Sequence, residues 1–401
     1  MANKPILLDE TFAAKLDKTN ALLAAMVRES APSEVDWNML KEYAHEGIFG
    51  DLFSIGDMFV DTWRDTAAQA DYNYHWQLQH IGNVTLNDGE VLQNRPFLQM
   101  HYAHPFGVQF SHQRAFLACP DGLAAGTYNI HFAQAWSQLT VLDWHFTLTQ
   151  PVPSGGRLAG FYTMADSAYT TRPVYAYSSD GKTVLETVTA SQGEDSGATD
   201  LGTLAYTARN GNLNSMQESF YGWNRWKTSA LRQYLNSAAG VGQWWTAQDA
   251  WDIAPDQLAT KAGFLSGCPE SFIDAIKTIA VTTYPNTVYD DPAGNTPDIT
   301  YDKVCIPSLE QMYISPQKSG EGEYWERWKR QSGRTSPCAQ YSTYPAMITY
   351  AAENHASAQS VRLRSAYRGN AFNTWNVHSS GYVYSSYHAY YALMFSPFVV
   401  L

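Results

Sequence analysis

The sequence predicts a mixed α+β chain in three parts: a helical arm over 1–45, a mostly β domain over 46–150, and a longer domain of helices and strands over 151–401. Three observations carry this. Apolar residues recur at helical spacing near the start of the chain. The period falls to two between Gly47 and about Thr149. After the Pro- and Gly-rich stretch Pro151-Val152-Pro153-Ser154-Gly155-Gly156, read as a linker, short strands give way to helix and then to strand again.

In the arm, Phe12, Leu16, Leu23 and Val27 fall near one face, with Leu22 and Met26 beside them, until Pro32 breaks the run. Such an arm either packs loosely or serves oligomerisation or docking. Ser33-Glu34-Val35-Asp36 offers a capping-box-like start to a second short helix through Trp37 and Leu40. In the β domain the segments 59–63, 74–78, 127–132 and 144–148 alternate or run apolar, and Asn87-Asp88-Gly89 is a turn signal. His101, His104 and His112 lie close together, but Pro105 and the strand pattern keep them off one helix face, so they read as satisfied or surface histidines and no metal site is expected.

Beyond residue 157, short strands with a hairpin turn at Ser179-Asp180-Gly181 lead to a helical stretch from Tyr221 to Asn236. There Trp223, Trp226, Ala230 and Tyr234 recur at three- and four-residue steps beside Leu231 and Leu235, making one wide apolar stripe. Arg232 falls off the stripe and reads as a structural hydrogen-bond donor. Trp223, Trp226, Trp244 and Trp245 suit a buried layer, with a sugar platform as the alternative. A second helix is expected over 271–279. From Tyr284 to about Ala351 apolar periodicity is weak, which predicts long surface insertions, with Trp325, Trp328, Lys329 and Arg330 either solvated or rimming a binding face.

Composition excludes several functions. A net charge of −12 over 401 residues lacks the basic footprint that nucleic acid requires. No run of about twenty apolar residues predicts a membrane span, and the opening Met1-Ala2-Asn3-Lys4-Pro5 does not read as a signal peptide. Cys119, Cys268, Cys305 and Cys338 fit no close metal-ligand spacing and read as buried thiols, with a Cys305–Cys338 bridge left open. No Gly-x-Ser-x-Gly elbow or His-Glu-x-x-His motif occurs, so no catalytic residue, enzyme activity or cofactor is expected.

The stretch Val361 to Leu401 stands apart. It holds Tyr at 367, 382, 384, 387, 390 and 391, interleaved with Ser, Asn, Ala and Gly, and no Lys, Asp, Glu, Gln or Cys. Tyr gives large, rigid, amphipathic contact area at small entropic cost, while Ser, Asn and Gly adapt their hydrogen bonds, a paratope-like composition. The alternative is a pair of aromatic closing strands, but Tyr390-Tyr391 breaks the alternation such strands would show.

The motifs Arg362-Leu363-Arg364-Ser365, Gly369-Asn370, Asn376-Val377, Ser380-Gly381 and Ser396-Pro397 resemble the variable domain of diversity-generating retroelement proteins. Trp226, Ser229, Leu231, Arg232, Tyr234, Leu235 and Asn236 match in order the helix that underlies the variable strands of that family, and Ile306-Pro307-Ser308-Leu309-Glu310 resembles its Pro-initiated helix start. The stretches 53–57 and 122–128 resemble the N-terminal module of phage-encoded proteins that carry such domains. Arg362, Ala366 and Ser396 depart from the family's usual aromatic, Pro and Arg. Randomising the adenines of Asn codons never yields Lys, Glu, Gln, Met or Trp, and between Ser365 and Leu393 only Trp375 breaks that rule.

The resemblance implies a C-type-lectin-like fold over 151–401, related to formylglycine-generating enzymes but without their C-terminal cysteines. It implies a phage or prophage receptor-binding protein, found in the virion or in the bacterial cytoplasm before release. The residues it marks as ligand-binding are Tyr367, Asn370, Phe372, Asn373, Asn376, His378, Tyr382, Tyr384, Ser385, Ser386, Tyr387, His388, Tyr390, Tyr391 and Leu393, on a framework of Arg364, Gly369, Trp375, Gly381 and Pro397. The implied partner is a host cell-surface protein or glycan, with homo-oligomer or virion assembly. A fixed-specificity carbohydrate-binding adhesin is the rival expectation.

Overall fold

The first helix, α1 (Trp37–His45), begins where Asp36 accepts a hydrogen bond from the Met39 amide at 3.1 Å. Asp36 is therefore the cap. The structure, a computed structural model, describes residues 18, 35–65, 70–112, 116–132, 143–159, 171–204, 221–248, 252–351 and 357–401. Apart from Lys18, the helix expected over 6–29 lies outside them. The buried face of α1 carries Trp37, Leu40, Tyr43 and Ala44, and Trp37 meets Phe272 edge-on at 4.8 Å. A short α2 (Phe49–Leu52) follows.

A four-stranded antiparallel sheet runs in the order β1 (Met58–Asp65), β2 (Ala70–Thr85), β3 (Val91–Met100) and β18 (Phe398–Val400), so the end of the chain closes a sheet begun near its start. Both faces of β2 are covered over 76–80. Trp76 and Leu78 are buried on one side and Gln77 and Gln79 on the other, where Gln77 Nε2 donates to the Gly56 carbonyl at 2.9 Å. A seven-stranded sheet runs in the order β10 (Thr199–Leu204), β5 (Gly126–Phe132), β6 (Asp143–Leu148), β9 (Val184–Gln192), β8 (Thr171–Tyr177), β7 (Gly156–Ala159) and β4 (Phe116–Cys119). Its strands come from both sides of residue 151. The segment read as a linker is a turn inside this sheet, where Val152 is buried and bridges to Leu123. A further cluster packs Trp37, Trp76, Trp226, Phe272 and Phe398 into one core, so the first and last thirds of the chain share an interior.

The segment expected to be helical over 221–236 is a 3₁₀ turn at Trp226–Thr228 and then α3 (Ala230–Leu235), capped by Ser229, whose hydroxyl accepts from the Arg232 amide at 3.1 Å. Arg232 Nε donates to Asp302 Oδ1 at 2.6 Å and Trp226 Nε1 to Asp302 Oδ2 at 3.1 Å. Trp223, Trp226, Trp244 and Trp245 are all buried. The next helix, α4 (Glu270–Ala275), ends earlier than expected because Ile279 opens β11 (Ile279–Thr283), paired with β12 (Asp298–Asp302).

The stretch 284–351 corrects the sequence reading most. It is no solvated insertion: Val304, Ile306, Leu309, Ile314, Trp325 and Cys338 are fully buried or nearly so, and Trp325 cannot form an outer rim. Periodicity is weak because turns replace regular elements, and buried side chains satisfy the turn backbone. Glu310 Oε2 accepts from the Gly320 and Glu321 amides at 2.8 and 2.6 Å. At the expected Pro-initiated helix, Ser308 and Gln311 exchange side-chain and backbone hydrogen bonds at 3.1 and 3.2 Å for a single turn, which Tyr313 leaves at φ +57°. A regular helix appears only at α5 (Glu326–Ser332), and β13 (Thr349–Tyr350) pairs β14 (Ala358–Gln359).

His104 stacks on Phe395 at 4.6 Å, and its Nδ1 lies 3.0 Å from the Phe106 carbonyl. His101 and His112 likewise have partners in Gln77 and Ala254. All four cysteines are free thiols, and burial pushes Cys305 up to about 12. Among the described residues no helix is long and apolar enough to cross a membrane.

Candidate ligand-binding face

The C-terminal stretch forms a three-stranded antiparallel sheet, β15 (Val361–Ala366), β16 (Asn373–Val377) and β17 (Val383–His388). Every residue of β15 is buried. Its Val361 and Leu363 join Trp375, Val377 and Val383 in a core beneath the sheet, while Arg362 and Arg364 point to its other side.

Those two arginines fix the backbone from within. Arg362 Nη2 donates to the carbonyls of His388 at 3.1 Å and Tyr391 at 2.8 Å, and Nη1 to the Thr374 hydroxyl. Burial pulls its guanidinium down to about 9. Arg364 donates to the Ile306 carbonyl at 3.0 Å, to Gln311 and to the Glu321 carbonyl. The buried amide of Asn224 donates to the carbonyls of Tyr367, Asn370 and Asn373 at 3.0, 2.8 and 2.7 Å, closing the 367–373 loop. Gly222, at φ +81°, lets the chain reach this position; a Cβ there would lie 2.4 Å from the Ser111 carbonyl oxygen and 2.9 Å from the Tyr390 nitrogen.

A register shift in β17 decides which rings share a face. Thr374 pairs with Tyr387 and Asn376 with Tyr384, so Ser385 and Ser386 together oppose Trp375. In a regular strand Tyr384 and Tyr387, three apart, would face opposite ways. The bulge brings both to the outside with Tyr382. They meet as a chain of rings: Tyr384 and Tyr387 at 5.6 Å and 84°, Tyr387 and Tyr391 at 6.1 Å and 89°.

These rings line an open depression of about 550 Å³ together with Thr343, His378, Ser380 and Ser386. Among the described residues its lining carries hydroxyls and one imidazole, with neither carboxylate nor ammonium. The segment 341–344 runs alongside β17, with Val383 N–H donating to the Ser342 carbonyl at 3.0 Å, and this places Thr343 on the rim. Gly381, at φ +80°, turns the chain where a Cβ would lie 2.5 Å from the Tyr344 carbonyl oxygen.

Of the residues expected to touch ligand, His378, Tyr382, Tyr384, Ser386, Tyr387 and Tyr391 surround this depression. A second group lies beside it: His388 stacks on Tyr221 at 4.3 Å and on Tyr391 at 5.4 Å, with Tyr390 adjoining. Burial, with Arg362 close by, draws the His388 imidazole down to about 4. Leu393 is half-buried.

Six residues need correction. Asn376 is fully buried, with its amide on the Tyr384 carbonyl at 3.0 Å, and Ser385 is 3 % exposed because the bulge turns it inward to the Tyr341 hydroxyl at 2.7 Å. Asn373 and Phe372 are each 8 % exposed; Asn373 holds His388 Nδ1 at 2.8 Å and Phe372 packs on Tyr221. Asn370 uses its side-chain oxygen to accept from the Phe372 and Asn373 amides, and Tyr367 leans on Trp375 at 5.9 Å, so both serve the loop more than the surface. Sequence reading missed Thr343 and Ser380, because nothing in 341–344 signals an added edge segment; Ser380 lies inside a quoted motif.

Fold and site together define an α+β chain presenting an uncharged, aromatic depression on a sheet held by buried polar side chains. Residues 197–397 match the family described as a domain of unknown function, DUF6273, and the chain belongs to that family. No curated protein and no solved structure matches it.

Proposed function

We propose that the chain is a ligand-binding protein whose C-terminal region is a C-type-lectin-like variable domain, diversified by a retroelement and carried by a phage or prophage structural protein. Its ligand is a protein or glycan on a host cell surface, which it binds without turnover. The observation that carries this reading is a division of labour within 361–401. Tyr382, Tyr384, Tyr387 and Tyr391 present their rings around one depression, while the backbone that holds them is fixed by the buried side chains of Arg362 and Asn224. Side chains at the tips can then change with small effect on folding. Oligomeric display would multiply weak single sites.

Sequencing the DNA beside this gene tests the reading. A near-copy of the codons for Val361 to Pro397, differing at adenines and next to a reverse-transcriptase gene, is the expected result. A locus with neither, in which sibling chains vary at 382–391 yet keep one glycan specificity, overturns diversification in favour of a fixed-specificity adhesin.

A further inference from the structure

A second cavity, of about 180 Å³, lies where the four-stranded sheet, β11, the 320–323 loop and β15 meet. One wall is aromatic: Phe97, Phe398 and Trp325 pack with ring centroids 5.1 to 6.1 Å apart. The other wall is polar. Arg364 is 1 % exposed and has both Nη groups engaged, yet its Nε–H has no partner. Trp325 is fully buried and its indole N–H is also unpartnered. His80, 7 % exposed, holds the rim carboxylate of Glu323 through Nε2 at 2.9 Å and leaves Nδ1 unmet.

The acidic groups nearby do not meet these donors. The Glu321 carboxyl oxygens already accept from the Tyr284 amide at 2.8 Å and from the Ser365 hydroxyl, and Glu310 accepts from two backbone amides. Unmet buried N–H groups also occur at Trp144, Trp328 and Arg362, each with its lost hydration uncompensated; what sets those of Arg364 and Trp325 apart is that they share one cavity. Both belong to residues lining one cavity with an apolar wall, a pairing that defines a ligand with an oxygen acceptor at one end and hydrocarbon at the other.

We propose that this cavity is a binding site for a small amphipathic carbonyl compound, a carboxylate or a primary amide. Its oxygen accepts from Arg364 Nε–H and Trp325 Nε1–H, and its apolar body lies against Phe97 and Phe398. The volume equals that of about six waters, room for a benzene ring and its head group. The site is separate from the tyrosine-lined depression and does not depend on the function proposed for it.

Titrating the full chain with benzoate, benzamide and benzylamine, followed by calorimetry and by ligand-observed NMR, tests the assignment. At least one of the two carbonyl compounds should bind; benzoate alone marks an anionic head, benzamide alone a neutral one, and both a shared carbonyl contact. Trp325→Phe keeps the ring and removes the N–H, so it should weaken binding tenfold or more. The proposal is overturned if neither carbonyl compound binds at millimolar concentration, if benzylamine binds as well as they do, or if Trp325→Phe changes affinity less than twofold. The ligand series on the unaltered chain stands even if the variant fails to fold.

Discussion

Replacing Asn224 by Ala should loosen the sheet that carries the tyrosines. The Asn224 side chain is fully buried, donates to three loop carbonyls and accepts from Asn286 Nδ2 at 3.1 Å. Alanine leaves the Tyr367 and Asn370 carbonyls without that partner in a site closed to solvent, while the Asn373 carbonyl keeps the Tyr367 amide at 3.1 Å and Asn286 Nδ2 keeps Asp290. Each of the two orphaned carbonyls costs about 1 kcal/mol or more and the other two lost bonds add to this, which gives a loss of roughly 2–4 kcal/mol in unfolding free energy. Urea unfolding followed by tryptophan fluorescence reads it directly. Asn224→Asp separates shape from hydrogen bonding: it keeps the volume, removes the donors and turns a negative oxygen towards the carbonyls, so it should be at least as destabilising. If Asn224→Ala stays within about 0.5 kcal/mol of the parent, or Asn224→Asp is as stable as Asn, the clamp assigned to this residue is wrong.

Other predictions follow from the same geometry. Gly222→Ala forces a Cβ into the Ser111 carbonyl at positive φ and should cost about 2 kcal/mol or more, seen as a lowered urea midpoint. The imidazole of His388 titrates near 4 in the folded chain and near 6.5 when unfolded, so between these values only the unfolded chain takes the proton. Stability is therefore complete above about pH 6.5 and falls as pH drops towards 4, by roughly 1–2 kcal/mol once solvent screening of the half-buried ring is allowed for. His388→Phe should flatten that slope in a pH series of unfolding curves. Tyr387→Ala should weaken capture of the natural ligand about tenfold or more while leaving the urea midpoint nearly unchanged.

Much of the architecture could be read from residue patterns, and the failures have physical causes. The strands at 59–63, 74–78, 127–132 and 144–148 were legible because apolar residues alternate between turn formers. The Trp226–Asn236 element was legible as helix, but its first turn is 3₁₀, because Ser229 caps a new helix in mid-segment. The interior formed by 304–338 was not legible. Its turns have no period, and what buries them is a set of side-chain bonds such as Glu310 to Gly320, which spacing does not announce. At the candidate site, tyrosine content pointed to the stretch that lines the depression, but the bulge at Ser385-Ser386 decided which residues face out. That bulge depends on pairing with β16, and so Ser385 was placed on the wrong side; Asn376 shares the face of its partner Tyr384 but is buried in the central strand of the sheet.

The most direct measurement is the behaviour of a displayed library randomised together at His378, Tyr382, Tyr384, Ser386, Tyr387 and Tyr391. If the tips are exchangeable and the clamps beneath them hold the sheet, most members keep the parent's resistance to unfolding, and selection against unrelated proteins and glycans returns binders. A library in which most members lose that resistance, or which yields no binder to any member of such a panel, contradicts the account.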